Sequence, residues 1–500
     1  MNMKVEHRQV SADTQQIGKL TGRVLSGSAW VLGVMLFSKG LGAIQLLILG
    51  RILAPNDFGL FAIASMTLFA FDVLTRTGFD DALIQKRGNI ESYAHVAFMI
   101  QIARGLILAA LIFFTAPYVA NFFNEPKVAP VVGTLALVQL LRGFRSPGVI
   151  LLQRELNFQV GSRYLAIGDI ITVATTTILA LYSRSVWALV YGAVVGEAAL
   201  VALSYIVHPY RPRLSFDLEK AKELYQFGIW LFLSGIVSYL SMQADNIAVG
   251  RLLSTEALGI YYMAYRIGNL FVDELGKPLA KTLQPVYAIL QDNVERLRIG
   301  LEKSLAHFLA ILCPIAFFLM LTAQATTSVL LGDKWDAVIP ILPILVLGAL
   351  FRGIAGPTQA FFVGTGRPKI SFFCELLRAA VLLLTLYPFF VLAGLEGIAW
   401  ASTLSTAIKL IVVGALLVPI IHVRSFLVRE MLPVGLSIAL LVVLLLAESA
   451  VLPATLWGFV VIAFSSIIFY SIVMWLSVNE RAHLNMGKLL VLETLKSICK

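Results

Sequence analysis

Eight basic residues fall inside long apolar stretches of the chain, where a charge needs a partner or water. They are Lys39, Arg104, Arg142, Arg145, Arg266, Arg352, Arg378 and Lys409. A charge at the centre of a membrane-spanning helix costs roughly 2.5–3.5 kcal/mol even on lenient insertion scales. Grouped around a water-filled cavity, such residues would bind an anion. The planar fork of arginine suits phosphate because it can donate two parallel hydrogen bonds.

Three of the eight have a simpler explanation. Arg378 follows Glu375 by three residues and can pair with it on one helical face. Arg145 and Arg266 lie near predicted helix ends, where a long side chain can reach the membrane interface. The cationic cavity is therefore predicted from the other five residues, Lys39, Arg104, Arg142, Arg352 and Lys409. For each of these, reaching the interface or forming an internal salt bridge is the alternative.

Two carboxylates in the same stretches, Asp72 and Asp245, are candidates for ion coupling. Ion-coupled transporters use intramembrane carboxylates to bind a proton or Na⁺. The alternatives are local: Asp72 can pair with Arg76 four residues later, and Asp245 lies near a predicted helix end beside Asn246. The three cysteines and six histidines are scattered, which does not predict a metal site. We expect no cofactor other than a coupling H⁺ or Na⁺.

The elements that carry these charges are predicted to be membrane-spanning helices. Hydrophobic residues make up 59% of the chain and charged residues 14%, against about 45–50% and about 25% in soluble proteins. Apolar runs repeatedly exceed the ~18 residues that a spanning helix needs. We predict an all-α polytopic membrane protein with about fourteen transmembrane helices. They span roughly residues 24–48, 57–78, 93–116, 130–152, 162–182, 185–207, 225–249, 257–281, 303–331, 337–363, 370–392, 396–420, 431–450 and 455–477.

The distribution of lysine and arginine predicts that both termini lie in the cytoplasm. With the N-terminus inside, most basic loop residues fall on inner segments. The outer loops then hold only Arg51, Lys127, Arg184, Arg251 and Lys334. Cytoplasmic loops are enriched in these residue types, and this enrichment also accounts for the formal net charge of +10.

A short glycine–arginine segment, here called the GR segment, occurs twice. Residues 50–53 (GRIL), followed by Gly59, reappear 200 positions later as residues 250–253 (GRLL), followed by Gly259. Both copies lie at predicted outer turns, where glycine permits a tight turn and a close approach of helices. We interpret the GR segments as a structural hinge or lock between helices rather than as a ligand site.

A second repeat supports a duplicated half. Residues 140–143 (LLRG), followed by Pro147, reappear as residues 350–353 (LFRG), followed by Pro357. This places Arg142 and Arg352 at matching positions. Duplication predicts two six-helix lobes in the same orientation with the substrate path between them. The predicted organisation is a cytoplasmic segment (1–23), an N-lobe of helices 1–6 (24–207), a cytoplasmic linker (208–224), a C-lobe of helices 7–12 (225–420), and helices 13–14 with a cytoplasmic tail (421–500).

These features together resemble a known family. Over residues 22–420 the chain resembles the polysaccharide-transporter branch of the multidrug/oligosaccharidyl-lipid/polysaccharide (MOP) exporters, the Wzx-type flippases of O-antigen, colanic-acid and exopolysaccharide units. The segments that carry the resemblance are ILGRILAPNDFGLFAIA (48–64), AVGRLLSTEALGIYYMAYRI (248–267) and LQRELNF (152–158).

The resemblance implies a fold and an activity. The fold is two six-helix lobes in a V, plus two further helices. The activity is translocation of an undecaprenyl-pyrophosphate-linked oligosaccharide across the cell inner membrane by alternating access through a cationic cavity. The partners implied are that lipid-linked oligosaccharide, membrane lipid and other glycan polymerisation or export proteins; nucleic acid is not among them.

Other activities are alternatives. A flippase of peptidoglycan lipid II belongs to the same superfamily and is also cationic inside, whereas a multidrug antiporter would favour an acidic cavity. A polysaccharide polymerase or ligase typically carries a large outer loop, and every predicted outer loop here is short. The sequence also shows no P-loop, G-x-S-x-G or H-E-x-x-H motif. We therefore predict a transporter rather than an enzyme.

Overall fold

The chain folds into helices in a computed structural model that describes residues 30–31, 33–75, 90–155, 157–213, 217, 229–271 and 273–427, with isolated positions up to 466. The first half of the described chain contains α1 (Gly33–Ile52), α2 (Pro55–Leu74), α3 (Ile90–Phe123), α4 (Val128–Gly143), α5 (Gly148–Arg154), α6 (Phe158–Ser183) and α7 (Trp187–Ile206). The second half contains α8 (Ile229–Leu252), α9 (Thr255–Phe271), α10 (Asp273–Leu290), α11 (Val294–Leu321), α12 (Ala323–Leu330), a 3₁₀ helix (Asp333–Val338), α13 (Ile341–Gly364), α14 (Pro368–Leu417) and α15 (Val423–Phe426).

The all-α prediction is confirmed, since the described residues contain no strand. Eight of the described helices are long and apolar enough to cross a membrane. Large apolar side chains such as Phe114, Tyr118 and Leu392 are exposed on the helix surfaces, as expected where the solvent is hydrocarbon. Half of predicted helix 13 (residues 431–450) and most of predicted helix 14 (residues 455–477) fall outside the described residues.

Two predicted span boundaries have a clear local cause. The span predicted over residues 130–152 is divided between α4 and α5, because Pro147 has no N–H to continue a helical ladder. The spans predicted at 370–392 and 396–420 are the two arms of α14, separated by non-helical backbone at Ala393 and Gly394. Gly394 has a φ of 55°, a left-handed conformation that glycine adopts without strain.

The two halves cross at α2 and α9 through a reciprocal contact. A Cβ atom on Gly59 would lie 1.8 Å from the carbonyl oxygen of Thr255, and one on Gly259 would lie 1.8 Å from that of Pro55. These pairs are related by the 200-residue repeat, so the same contact is made twice, as at a two-fold interface. Only glycine allows the two backbones to approach this closely.

Hydrogen bonds at the end of α1, here called the latch, tie the first GR segment to the second half. The Arg51 guanidinium donates to the carbonyl oxygens of Val329 and of Leu330, the latter at 3.1 Å. The Lys334 ammonium donates to the carbonyl oxygens of Arg51, at 2.9 Å, and of Leu53, at 2.7 Å. Burial lowers the pKa of the Lys334 ammonium, and the nearby Asp57 carboxylate opposes that shift.

Trp335 is a buried part of the latch. Its side chain is fully buried, its indole N–H donates to the carbonyl oxygen of Gly50 at 2.8 Å, and its ring packs edge-on against Phe58 with centroids 5.4 Å apart. Such an aromatic pair contributes about 0.5–1.5 kcal/mol beyond its buried area.

The second GR segment makes the corresponding contact with the first half. The Arg251 guanidinium lies 5.5 Å from the centroid of the Phe122 ring. With the Asn124 amide oriented to satisfy its neighbours, the amide oxygen accepts from Arg251 at 2.7 Å. Each GR arginine therefore reaches across to the opposite half, a contact that a lock between helices requires.

Candidate functional site

A cavity of about 550 Å³, here called the central cavity, lies between the two halves. Helices α1, α2 and α6 line one side, and α8 and α9 line the other. Its polar wall includes Ser38, Gln45, Ser65, Gln243, Asn246, Tyr262, Tyr265 and Asn269. Its charged residues are Lys39, Asp169 and Arg266. Amides and hydroxyls both donate and accept hydrogen bonds, so this wall suits a ligand rich in hydroxyl groups.

One face of α9 supplies much of that wall. Tyr262, Tyr265, Arg266 and Asn269 occupy positions i, i+3, i+4 and i+7, which lie on one side of a helix. The Arg266 guanidinium lies 5.7 Å from the Tyr262 ring centroid. Arg266, which lies close enough to a helix end to reach the membrane interface, lines the cavity in this structure.

A second cavity of about 340 Å³, here called the side chamber, lies within the second half. Its wall is formed by α8, α10, α13 and both arms of α14. The chamber brings together two of the predicted cations, Arg352 and Lys409, with Arg378 and Glu375. Three cations against one carboxylate leave the described lining with a net positive charge.

Glu375 is the counter-ion of the side chamber. One of its carboxylate oxygens accepts from the Arg378 Nε at 2.9 Å, and the other accepts from the Lys409 ammonium. The predicted pairing of Arg378 with Glu375 is confirmed. Because Arg378 is only 4% exposed and Lys409 shares its carboxylate, the three residues form one cluster across the two arms of α14.

Arg352 stands at the boundary between the two cavities. Its side chain lines the side chamber, yet its Nη2 donates to the Asn269 amide oxygen at 2.5 Å. Its guanidinium also lies 5.3 Å from the Tyr265 ring centroid. Asn269 and Tyr265 both line the central cavity, and Met242 lines both cavities. The cavities are therefore neighbours, with Arg352 and Met242 between them.

The Asp245 carboxylate is buried beside the central cavity and held by neutral donors. It is 2% exposed. One oxygen accepts from the Tyr261 hydroxyl at 2.9 Å and from the Ser402 hydroxyl at 2.8 Å, and the other accepts from the backbone N–H of Asn246. Among the described residues it has no ion-pair partner.

Asp72 and Arg104 form an ion pair between α2 and α3. An Arg104 Nη2 atom lies 2.7 Å from the Asp72 carboxylate and 3.0 Å from the Asp72 carbonyl oxygen, and the Arg104 Nε donates to the Thr75 hydroxyl at 3.1 Å. Neither charged residue lines the two cavities described above. Arg76, the alternative partner of Asp72, lies outside the described residues.

Arg142 lies near a different carboxylate. Its Nη2 atom is 3.7 Å from the Glu197 carboxylate, which accepts a shorter bond of 2.6 Å from the Arg145 Nε. The Arg142 side chain is 40% exposed, and its Nε atom is buried with no hydrogen-bond partner within the described chain. Arg145 therefore forms an internal salt bridge, which is one of the alternatives to a place in the cationic cavity.

The five predicted cations are thus spread over four places. Lys39 lines the central cavity, Arg352 and Lys409 line the side chamber, and Arg104 and Arg142 lie beside their own carboxylates. Sequence reasoning set aside Arg266 and Arg378, although both line a cavity. The spacing of Tyr262, Tyr265, Arg266 and Asn269 on one helical face is the sequence signal that could have found the cavity wall.

The sequence is similar to a family of known proteins and to several of its members. The family described as "Polysaccharide biosynthesis protein" matches residues 48–340, more than half of the chain. The chain belongs to this family. It is 25% identical over 71% of its length to the lipopolysaccharide biosynthesis protein WzxC of Escherichia coli K12, 72% of which is covered. It is 27% identical over 68% of its length to the succinoglycan biosynthesis transport protein ExoT of Rhizobium meliloti, 69% of which is covered.

A third relative and two solved structures extend the comparison. The teichuronic acid biosynthesis protein TuaB of Bacillus subtilis is 24% identical over 79% of this chain and 82% of its own. The lipid II flippase MurJ in an inward closed conformation matches with a TM-score of 0.74 at 14% identity, over 89% of this chain and 97% of its own. An inward-facing MATE family transporter of the MOP superfamily matches with a TM-score of 0.63 at 16% identity, over 78% and 97%. The protein is a multi-pass membrane protein with the MOP fold, and the resemblance to polysaccharide transporters is confirmed.

Proposed function

We propose that the protein is a flippase that moves an undecaprenyl-pyrophosphate-linked oligosaccharide across the cell inner membrane for O-antigen or exopolysaccharide export. The observation that carries this proposal is the central cavity, a polar, net-basic space between two halves of a polysaccharide biosynthesis protein. Hydroxyl-rich sugars suit its amides and phenols, and the basic residues suit a pyrophosphate or an acidic sugar.

We assign the substrate path to Lys39 in the central cavity and to Arg352 and Lys409 in the side chamber. Arg142 is a further candidate, because its contact with Glu197 is long and its side chain is 40% exposed. Arg104, which the same prediction included, is held by Asp72 and Thr75. Its proposed contribution is therefore to position α2 and α3.

The proposed cycle is alternating access. The latch and the α2–α9 crossing close one end of the central cavity, and this end faces the periplasm if both termini are cytoplasmic, as predicted. Rocking of the N-lobe (24–207) against the C-lobe (225–420) would break these contacts and open that end. Of the two candidate coupling carboxylates, Asp245 is the stronger, because Asp72 already has Arg104 as its cation.

The lipid II flippase alternative has one supporting observation, the match of the fold to MurJ. At 14% identity that match concerns the fold. Relatives with higher identity are named for lipopolysaccharide, teichuronic acid and succinoglycan biosynthesis, and they favour a glycan-repeat substrate. A polymerase or ligase has no comparable support.

The test is deletion of the gene with direct assay of export. We expect complete undecaprenyl-linked repeat units to accumulate inside the cell and surface polysaccharide to be lost, and wild type to reverse both. We expect Arg142→Ala/Arg352→Ala, produced at wild-type level, to fail. Accumulation of short units at the cell surface would instead indicate a polymerase or ligase. An unchanged glycan with altered lipid II would indicate the peptidoglycan flippase.

A further inference from the structure

We propose that the side chamber is an anion-binding subsite separate from the central cavity, in which Glu375 holds the place of the substrate anion until that anion displaces it. This inference rests on the proposed function, because it divides the substrate of that function between two cavities. The ligand is a diphosphate or carboxylate group attached to a sugar, with the sugar in the central cavity.

The arrangement of charges is the first support. One carboxylate oxygen of Glu375 accepts from Arg378 and the other accepts from Lys409. Both cations are therefore already placed to bind an oxyanion. A diphosphate carries more negative charge and more acceptor oxygens than one carboxylate. It would compete well for a fork-shaped donor and an ammonium. The chamber volume of about 340 Å³ also lies within the ~300–1,000 Å³ typical of small-ligand sites.

The position of Arg352 is the second support. It is the third cation of the side chamber, and its guanidinium contacts Asn269 and Tyr265 of the central cavity. A ligand with a sugar in the central cavity and an anion in the side chamber would pass this residue. Rotation of Arg352 away from Asn269 would bring its donors onto the anion.

The variant Glu375→Gln distinguishes an anion-binding subsite from a salt bridge whose role is purely structural. Glutamine keeps the side-chain shape but removes the competing charge, so we expect affinity for inorganic pyrophosphate to rise about tenfold, equivalent to roughly 1.4 kcal/mol. Lys409→Gln should lower that affinity by a similar factor. Lys39→Gln changes the central cavity, so it should lower export but leave pyrophosphate affinity in place. Lys369→Gln, exposed at the start of α14 and outside both cavities, controls for non-specific charge.

Binding is measured by calorimetry on the full-length protein in lipid nanodiscs. Inorganic pyrophosphate and glucuronate are the two probes, since the anion could belong to the lipid carrier or to an acidic sugar. The probe whose affinity follows the Glu375 and Lys409 variants identifies the source. If Glu375→Gln leaves both affinities unchanged, or if Lys39→Gln weakens pyrophosphate binding as much as Lys409→Gln does, the separate subsite is wrong. If Glu375→Gln does not fold, the comparison of Lys409→Gln with Lys39→Gln decides.

Failure of this subsite and failure of the flippase proposal give different results. If wild type restores export but the variants show no such binding pattern, the subsite is wrong and the flippase stands. If the binding pattern is present but the glycan is exported normally in the deletion strain, the anion subsite stands and the glycan flippase is wrong.

Discussion

Asp245 is a carboxylate buried among neutral hydrogen-bond donors, the setting in which a bound proton or Na⁺ can balance the charge. We predict that Asp245→Asn abolishes the response of flipping to a pH or Na⁺ gradient. The variant should fold, because the asparagine oxygen can still accept from Tyr261 and Ser402. The measurement is glycan-lipid flipping in inverted membrane vesicles, with and without each gradient.

The matched control for Asp245 is Asp169→Asn, a carboxylate of the central cavity wall. This control should retain the gradient response, even if its affinity for substrate changes. A gradient response that survives in Asp245→Asn would exclude this carboxylate from the coupling.

The Asp72–Arg104 pair illustrates a charge that is structural in this conformation. Its two side chains are 27% and 25% exposed. We predict that Arg104→Met destabilises the protein by about 2 kcal/mol, because it leaves the Asp72 carboxylate without its cation. This is below the ~3–5 kcal/mol of a fully buried pair, since both side chains are partly exposed. Arg104→Met/Asp72→Leu should recover most of this loss. The measurement is thermal unfolding in detergent, followed by an export assay. If the double variant is stable but does not export, Arg104 contributes to the substrate path after all.

Individual charged residues could be predicted from the sequence, but their distant partners could not. The cost of a charge in an apolar segment identified Lys39, Arg352 and Lys409 as unusual. That cost does not show that Arg352 and Lys409 share a cavity with Arg378. Lys409 and Glu375 lie 34 positions apart in the sequence, and they come together only because the chain reverses direction at Gly394. Likewise, the partner of Arg142 is Glu197 on another helix, and no local spacing links the two.

At the scale of elements, the approach of α2 to α9 depends on two glycines. A Cβ on residue 259 would lie 1.8 Å from the Pro55 carbonyl oxygen, so Gly259→Ala must push the helices apart. We predict a loss of about 1–3 kcal/mol, the usual cost of overpacking, together with greater solvent access at this end. The measurement is hydrogen exchange of the α2 and α9 amides, alongside thermal unfolding.

Gly414→Ala is the matched control for this crossing. Gly414 lies in the second arm of α14 with open space where its Cβ would be, and alanine in a helix interior is more stable than glycine by up to about 1 kcal/mol. This variant should be neutral or stabilising. If both variants behave alike, the crossing does not depend on backbone contact.

The helices themselves were largely predictable, because long apolar runs determine spanning helices whatever their neighbours do. The GR repeat also predicted a hinge or lock, since glycine permits a tight turn and a close approach of helices. What the repeat did not reveal is that each arginine contacts the opposite half. Arg51 reaches Leu330 and Arg251 reaches Phe122, and such pairings depend on how the halves are placed together.

At the scale of the whole molecule, the halves meet at the latch and the α2–α9 crossing, and the central cavity lies between them. They also meet between α2 and α8, where the Tyr239 hydroxyl donates to the Met66 carbonyl oxygen at 3.3 Å. The reciprocal glycine contact and the paired GR arginines are what a two-fold arrangement of similar halves produces. If flipping needs these halves to part, a covalent bond between them at the latch must stop it. Gly50 and Leu331 offer the position, because a Cβ on residue 50 would lie 3.9 Å from the Leu331 Cγ and 2.7 Å from its Cδ2.

We therefore predict that Gly50→Cys/Leu331→Cys forms a disulfide on oxidation, because the side chain at 331 lies directly against residue 50 and Leu331→Cys removes the Cδ2 atom that the new Cβ would crowd. We expect export to stop until the bond is reduced. The native cysteines, of which Cys313 and Cys374 are buried and unpaired, are first replaced by alanine or serine. Leu331→Cys alone, treated with the same oxidant, should export normally. The measurement is flipping before oxidation, after oxidation and after reduction, with the cross-linked fraction read on a gel. Continued flipping by the fully cross-linked protein would mean that the substrate leaves without separation of the halves at this end, and alternating access through the latch would be wrong.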